Sequence, residues 1–254
     1  MGIDEAGRGP VCGPMTYGAA YGPIDGEKRL KSFGFADSKK LTDDKRDELF
    51  KKIKAAPDFL GWVVSVLSAA DISAAMLGRI NYNLNALSHD TAIDMIKKVL
   101  AMGVNLKELY IDTVGIEHLY QQKLEKIFPE LDITVTKKAD DKFPICSAAS
   151  ICAKVTRDQI IEQWGHVELV KLSKQIGSGY PGDPITKKWI AAATDPVFGF
   201  PSTCLLLLLL LRLLRLLSSL LYFSIHGVYR PLPSQWRLSN HHITRQLHPT
   251  TTPH

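Results

Sequence analysis

Cysteine is scarce and unpatterned in this 254-residue chain: Cys12, Cys146, Cys152 and Cys204 include no CxxC pair and no metal-finger spacing. That excludes a zinc-finger module or a disulfide scaffold, and leaves reduced, mostly buried thiols in an intracellular protein as the expectation. The N-terminus opens on a strand-like segment instead of a charged and then apolar leader, so no secretory signal is expected. Acidic residues stop at Asp195 and lysines at Lys188, whereas Arg212, Arg215, Arg230, Arg237 and Arg245 follow. These five arginines account for the whole net charge of +5, because residues 1–195 hold 26 basic and 26 acidic side chains. The basic balance therefore carries no argument about binding partners.

Long apolar runs are also lacking. Positions 205–221 hold thirteen leucines, but the uninterrupted run is seven, and Arg212 and Arg215 break the remainder. A membrane-spanning helix needs about twenty predominantly apolar residues. A membrane-surface helix needs a polar face, and two arginines on an otherwise apolar cylinder do not make one. The tail at 202–254, Leu-rich and then rich in His, Pro and Thr, is expected to lie outside the fold. Leu, Ser, Phe and Pro are what pyrimidine-rich DNA encodes, so intron read-through or a frameshift would produce such a segment. At the other end, Met1-Gly2-Ile3 gives the first strand little length against the usual five or six residues, roughly, and an N-terminal piece is expected to be missing.

Between these ends the chain reads as one α/β domain over residues 1–201, a mixed sheet flanked by helices with a small helical C-terminal region. Strands are expected at 11–21, 59–67, 108–112 and 132–136, with a further short one ahead of Asp4. Helices are expected from Thr42, an N-cap candidate, to Lys54, from Asn83 to Met102 with Gly103 closing it, over 117–128, and from Pro144 to Val170 with a candidate break at Gly165. The run from Ser147 to Val155 is dense in small residues, which lets a helix approach a sheet closely.

The chemistry concentrates on four acids from three distant places: the pair Asp4-Glu5, then Asp112, then Asp140. Each sits where a strand or loop meets glycine or small residues. Carboxylates gathered without a His or Cys partner suit hard cations, magnesium or manganese. Magnesium held by a few carboxylates usually engages substrate phosphates as well, which points toward phosphodiester chemistry. Ser88-His89-Asp90 invites a nucleophile triad, but Ser88 and His89 are helical neighbours and no nucleophile elbow accompanies them. Packing or capping is the expected role.

The segment Asp4-Glu5-Ala6-Gly7-Arg8-Gly9-Pro10-Val11 resembles the signature of type 2 ribonuclease H, in particular that of the eukaryotic catalytic polypeptide. The resemblance continues through Ala36 to Leu41, Met76 to Arg79, Tyr82 to Asn85, Leu87 to Ala92, Asp112 to Gly115, Lys138 to Asp140, Ser147 to Val155, Gly177 to Pro181 and Pro196 to Pro201, and stops there. It implies a ribonuclease H-like fold. It also implies a metal quartet of Asp4, Glu5, Asp112 and Asp140 holding two Mg2+ or Mn2+ ions, with Asp141 a bystander. Two ions in such sites stand about 4 Å apart.

By the same resemblance, Gly7, Arg8 and Gly9 contact the 2′-hydroxyl and adjacent phosphate of a ribonucleotide, Tyr180 stacks on the sugar at the RNA–DNA junction, and Lys39 contacts a phosphate. The 2′-hydroxyl is the group that separates RNA from DNA. The implied activity is hydrolysis of RNA in RNA/DNA hybrids and cleavage 5′ to single ribonucleotides in duplex DNA. The implied setting is the nucleus, in a complex with two accessory subunits. A non-catalytic or defective nucleic-acid-binding fragment of that complex is the rival reading, weakened by the presence of all four acids.

Overall fold

The computed structural model describes residues 1–35, 41–78, 82–164, 176–197 and 199–205. Lys39, the expected break at Gly165 and the tail beyond Leu205 lie outside them. No helix among the described residues is long and apolar enough to cross a membrane.

Five strands form one sheet: β1 (Gly2–Ala6), β2 (Met15–Tyr21), β3 (Gly61–Leu67), β4 (Glu108–Asp112) and β5 (Asp132–Thr136), in the order β3-β2-β1-β4-β5. The β1–β2 and β2–β3 pairs are antiparallel, while β1–β4 and β4–β5 are parallel. The first strand is not stunted. All five of its residues pair with β2, from Gly2 opposite Ala20 to Ala6 opposite Thr16, and it occupies the centre of the sheet. The expected strand at 11–21 begins only at Met15. Gly13, at φ 87°, and Pro14 turn Val11 and Cys12 out of the sheet and into contact with other segments.

Helices cover both faces. Along the chain they are α1 (Glu27–Ser32), α2 (Asp43–Lys54), α3 (Ala69–Leu77), α4 (Leu84–Ala101), α5 (Glu117–Ile127), α6 (Ala139–Lys142), α7 (Pro144–Trp164) and α8 (Pro184–Ala193). The starts of α2 and α4 follow from capping: the side chains of Thr42 and Asn83 accept from the amides of Lys45 and Ala86. At α3, Ser68 and Asp71 form a reciprocal capping box that the apolar periodicity does not disclose.

On one face, Ile3, Tyr17, Leu109, Ile111 and Ile133 of the strands pack with Ile93, Ile96 and Leu124 of α4 and α5. On the other, α7 lies against β1 and β2 through Cys146, Ala149 and Cys152, backed by Leu49, Phe50 and Ile53 of α2. The small residues of α7 are required there. A β-carbon on Gly18 of β2 would stand 2.2 Å from the carbonyl oxygen of Ala149, so backbone meets backbone with no side chain between.

Packing continues past Pro201. Thr203, Cys204 and Leu205 are buried. Leu205 N–H donates to the Val11 carbonyl at 2.8 Å, and Gly13 N–H donates to that of Thr203 at 2.8 Å.

Candidate active site

Parallel pairing brings the acids to one end of the sheet. Gly2 and Ile3 of β1 lie opposite Tyr110 and Ile111 of β4, so the next residues, Asp4 and Asp112, emerge side by side. Glu5 follows on β1. One carboxylate oxygen from each of Asp4, Glu5 and Asp112 lies within 4.8 Å of the other two. Sites outside the carboxyl ends of parallel strands are the usual location for chemistry in such sheets.

Asp140 arrives by a different route. The chain leaves β5 through Lys138, which adopts a left-handed conformation at φ 55°, the one non-glycine among the described residues to do so. This turn aims the Ala139 N–H at Asp112 Oδ1 (3.1 Å) and starts α6 with Asp140 buried in its first turn. Backbone strain of this kind persists where surrounding contacts impose it. Asp140 stands outside the 4.8 Å group but acts on Asp4 through its charge.

Asp4 is the most perturbed of the four. Burial pushes its carboxyl pKa well above the usual range, and the neighbouring Glu5 carboxylate pushes it further, with Asp112 and Asp140 adding to this. A hydrogen bond with Ser150 opposes the shift. A cluster of like charges at a buried position disfavours ionisation unless a cation compensates it. The donor set is all oxygen, which fits a hard divalent cation and not a thiophilic one. Asp4, Glu5, Asp112 and Asp140 are the residues that would hold it.

The small-residue run on α7 therefore does more than pack. Ser147 Oγ donates to the Asp140 carbonyl at 2.5 Å, and Ser150 reaches Asp4. Their hydroxyls are concealed in the sequence by a composition that close packing explains equally well.

The loop after β1 lies beside the acids. Arg8 does not extend into solvent: its guanidinium donates to Ser88 Oγ at 2.7 Å and to Asn85 Oδ1, both on the first turns of α4. Ser88 in turn donates to the Leu84 carbonyl, which removes it from any nucleophilic role. His89 stacks on Tyr120 with ring centroids 3.8 Å apart, and its Nε2 N–H donates to the Val114 carbonyl just beyond Asp112. Burial lowers its pKa, so the neutral ring serves as a packed strut.

Gly9 and Tyr180 meet: a β-carbon on Gly9 would come 2.6 Å from Tyr180 Cε1. The ring of Tyr180 is half exposed, so one face stays open beside the loop. Underneath runs Arg157 of α7, which sequence reasoning missed. It is buried, and donates from Nε to the Pro14 carbonyl and from Nη2 to the Cys12 carbonyl, both at 3.0 Å. Gly7, at φ 87°, has room only for hydrogen, because a β-carbon would stand 2.3 Å from Arg157 Nε. Within the sequence, an arginine at the end of a small-residue helical run is the one available signal.

A separate cavity of about 390 Å³, lined by residues that include Met1, Phe59, Glu108, Tyr110 and Ile145, opens at the opposite end of the sheet and touches none of these groups.

A mixed five-stranded sheet with helices on both faces and acids at the carboxyl ends of its central parallel strands defines a ribonuclease H-like α/β domain. The family model described as ribonuclease HII matches residues 1–203. The chain is 51% identical to the ribonuclease H2 A-subunit of Bos taurus over 202 residues, covering 79% of this chain and 68% of that one. It is 50% identical to the Homo sapiens A-subunit over 202 residues, covering 79% and 67%, and 51% identical to that of Arabidopsis thaliana over 203 residues, covering 80% and 68%. Among solved structures, ribonuclease H2 from Pyrococcus horikoshii superposes with a TM-score of 0.65 at 32% identity, covering 80% of this chain and 90% of that one. The chain belongs to the ribonuclease HII family, and its enzymatic class is that of a ribonuclease H.

Proposed function

We propose that this chain is a divalent-metal-dependent endonuclease that hydrolyses the RNA strand of RNA/DNA hybrids and cuts 5′ of single ribonucleotides embedded in duplex DNA. The observation that carries the reading is the convergence of Asp4, Glu5 and Asp112 within 4.8 Å. Beside it lies a loop whose Gly9 is covered by Tyr180. A bare cluster of carboxylates would repel a phosphodiester. A bound Mg2+ or Mn2+ reverses that, activating water and stabilising the leaving oxygen when present.

The protein's own residues do the rest. Asp4, Glu5, Asp112 and Asp140 are the proposed ligands, with Ser150 and Ser147 fixing two of them. Gly7 and Gly9 keep the loop free of side chains so that a ribose and its phosphate can approach the backbone. Tyr180 offers a ring face for stacking on the sugar, and the position of its ring against Gly9 fixes where the 2′-hydroxyl would be read. Arg8, committed to Ser88 and Asn85, anchors the loop as well as supplying positive charge. Lys39 is assigned a phosphate contact on resemblance alone.

Residues 1–201 are taken as the catalytic domain. Kinship with relatives named as one polypeptide of ribonuclease H2 supports a role in a multi-subunit nuclear enzyme; co-purification of accessory subunits with the full chain tests that. The catalytic reading is tested by incubating the full chain with a labelled RNA/DNA hybrid in Mg2+, in Mn2+ and in excess chelator. Cutting of the RNA strand with either metal and none with chelator is expected. Undiminished cutting in chelator would end the metal assignment.

A further inference from the structure

We propose that Cys12 and Cys204 form a reversible disulfide that staples the loop following β1 to the segment following α8. Their Sγ atoms lie 3.6 Å apart, and both residues are buried thiols. The backbone around them is already in the geometry such a bond requires. Gly13 N–H donates to the Thr203 carbonyl and Leu205 N–H to the Val11 carbonyl, each at 2.8 Å, and Cys12 and Cys204 form an antiparallel bridge between those two bonds. They are therefore a non-hydrogen-bonded antiparallel pair, the class with Cα atoms about 4.5 Å apart and side chains closest. That separation falls inside the roughly 4.4–6.8 Å that a disulfide spans. Closing the sulfurs to about 2.05 Å takes side-chain rotation and leaves the backbone in place.

The surroundings favour reaction at Cys12. Its carbonyl accepts from the buried Arg157 guanidinium at 3.0 Å. The hydrogen bond with Cys204 lowers the Cys12 thiol pKa and Arg157 lowers it further, while burial opposes both. The remaining cysteines differ. Cys146 and Cys152 lie within one helix, and burial drives both thiols up, Cys152 to about 12. Thiolate is the reactive form, so these two are inert by comparison.

With a hydroperoxide as oxidant, the Cys12 thiolate attacks a peroxide oxygen: an S–O bond forms, the O–O bond breaks, and hydroxide leaves and is protonated to water. The Cys204 thiol then attacks the sulfenic sulfur, forming the S–S bond, and its proton departs with the expelled hydroxide as a second water. The thiols lose two electrons and the peroxide gains two. A dithiol reductant reverses the bond by exchange. Transient redox-responsive bonds of this type are the kind found in reducing compartments.

The bond closes a loop from residue 12 to residue 204, nearly the whole described chain, and so restricts the unfolded ensemble strongly. A melting temperature raised by about 5–10 °C is expected. The test treats the full chain with hydrogen peroxide, alkylates remaining thiols and maps the non-reduced digest by mass spectrometry beside thermal melts with and without dithiothreitol. A Cys12–Cys204 cross-linked peptide with a reductant-reversible rise in melting temperature is expected. Both should vanish in Cys204→Ser and in Cys12→Ala, and persist in Cys152→Ser. Peroxide-treated wild-type protein in which Cys12 and Cys204 remain fully alkylatable, or a linkage that leaves the melting temperature unchanged or lower, would overturn the proposal.

Discussion

The ring of Tyr180 lies so close to Gly9 that a β-carbon on the glycine would stand 2.6 Å from Cε1, so the loop after β1 and the loop before α8 form one surface. Gly9→Ala has no backbone penalty comparable to a left-handed glycine, because its φ is not positive. The substitution acts by displacing a half-exposed ring. Single-ribonucleotide cleavage by Gly9→Ala should fall toward that of Tyr180→Ala, with RNA/DNA hybrid cleavage less affected in both. The double variant should be no worse than Tyr180→Ala alone, since neighbours that act through one contact are not additive. Steady-state rates on the two substrates check this, and additive losses would separate the residues.

Asp4 should destabilise the metal-free fold. Burial, then the Glu5 charge, keeps its proton on to higher pH than in the unfolded chain, where the pKa is about 3.9. The folded state thus holds the proton more tightly, and wild-type stability falls as pH rises from the unfolded value to the raised folded one. Above that the deficit is complete. In chelator at pH ~8, Asp4→Asn should melt above wild type, with the gap closing toward pH ~4. Added Mg2+ or Mn2+ should raise the wild-type melting temperature and leave the variant unmoved. Thermal melts across pH, with and without metal, decide both points.

The quartet and the two loops are legible in the sequence because each carries glycines or small residues in an order that chance does not supply. How they are held is not. Nothing near Arg157 in the chain announces that it donates to the carbonyls of Cys12 and Pro14, because those partners are more than a hundred positions away. Strands β4 and β5 match the expected 108–112 and 132–136 to the residue, since both are apolar runs bounded by turns. The strand expected from Val11 instead starts at Met15, since Gly13 and Pro14 redirect a segment whose composition alone looks extended. Helix α8 escapes sequence reasoning although Asp183-Pro184 is an N-cap with proline at the first position, a signal masked by the glycines that precede it.

Arg157 is predicted to be structural first. Arg157→Ala leaves two carbonyls without their buried donor and should cost about 3 kcal/mol, or roughly a 10 °C fall in melting temperature for a domain of this size. Arg157→Lys should recover less than half, because an ammonium cannot reach both carbonyls with a planar fork. Denaturant unfolding of the three proteins measures it. Equal stability of the lysine variant and wild type would argue that charge alone, and not the fork, is what the loop needs.

Gly18→Ala probes the contact between α7 and the sheet. With the Ala149 carbonyl 2.2 Å from the new carbon, backbone must move, and a loss of about 3 kcal/mol or more is expected. Soluble yield and the denaturation midpoint report it. A neutral outcome would mean that α7 can lift away from β2, and with it the serines that hold Asp4 and Asp140.

The most direct test of the catalytic site uses a DNA duplex carrying one ribonucleotide, beside an all-DNA control, with Mg2+ and with wild-type, Asp112→Asn and Tyr180→Ala proteins. A single wild-type cut on the 5′ side of the ribonucleotide, abolished in Asp112→Asn and sharply reduced in Tyr180→Ala, is the expected result. Wild-type cutting of the all-DNA control, or near-normal cutting by Asp112→Asn, would contradict the assignment of the carboxylate cluster and its neighbouring loop as a ribonucleotide-reading active site.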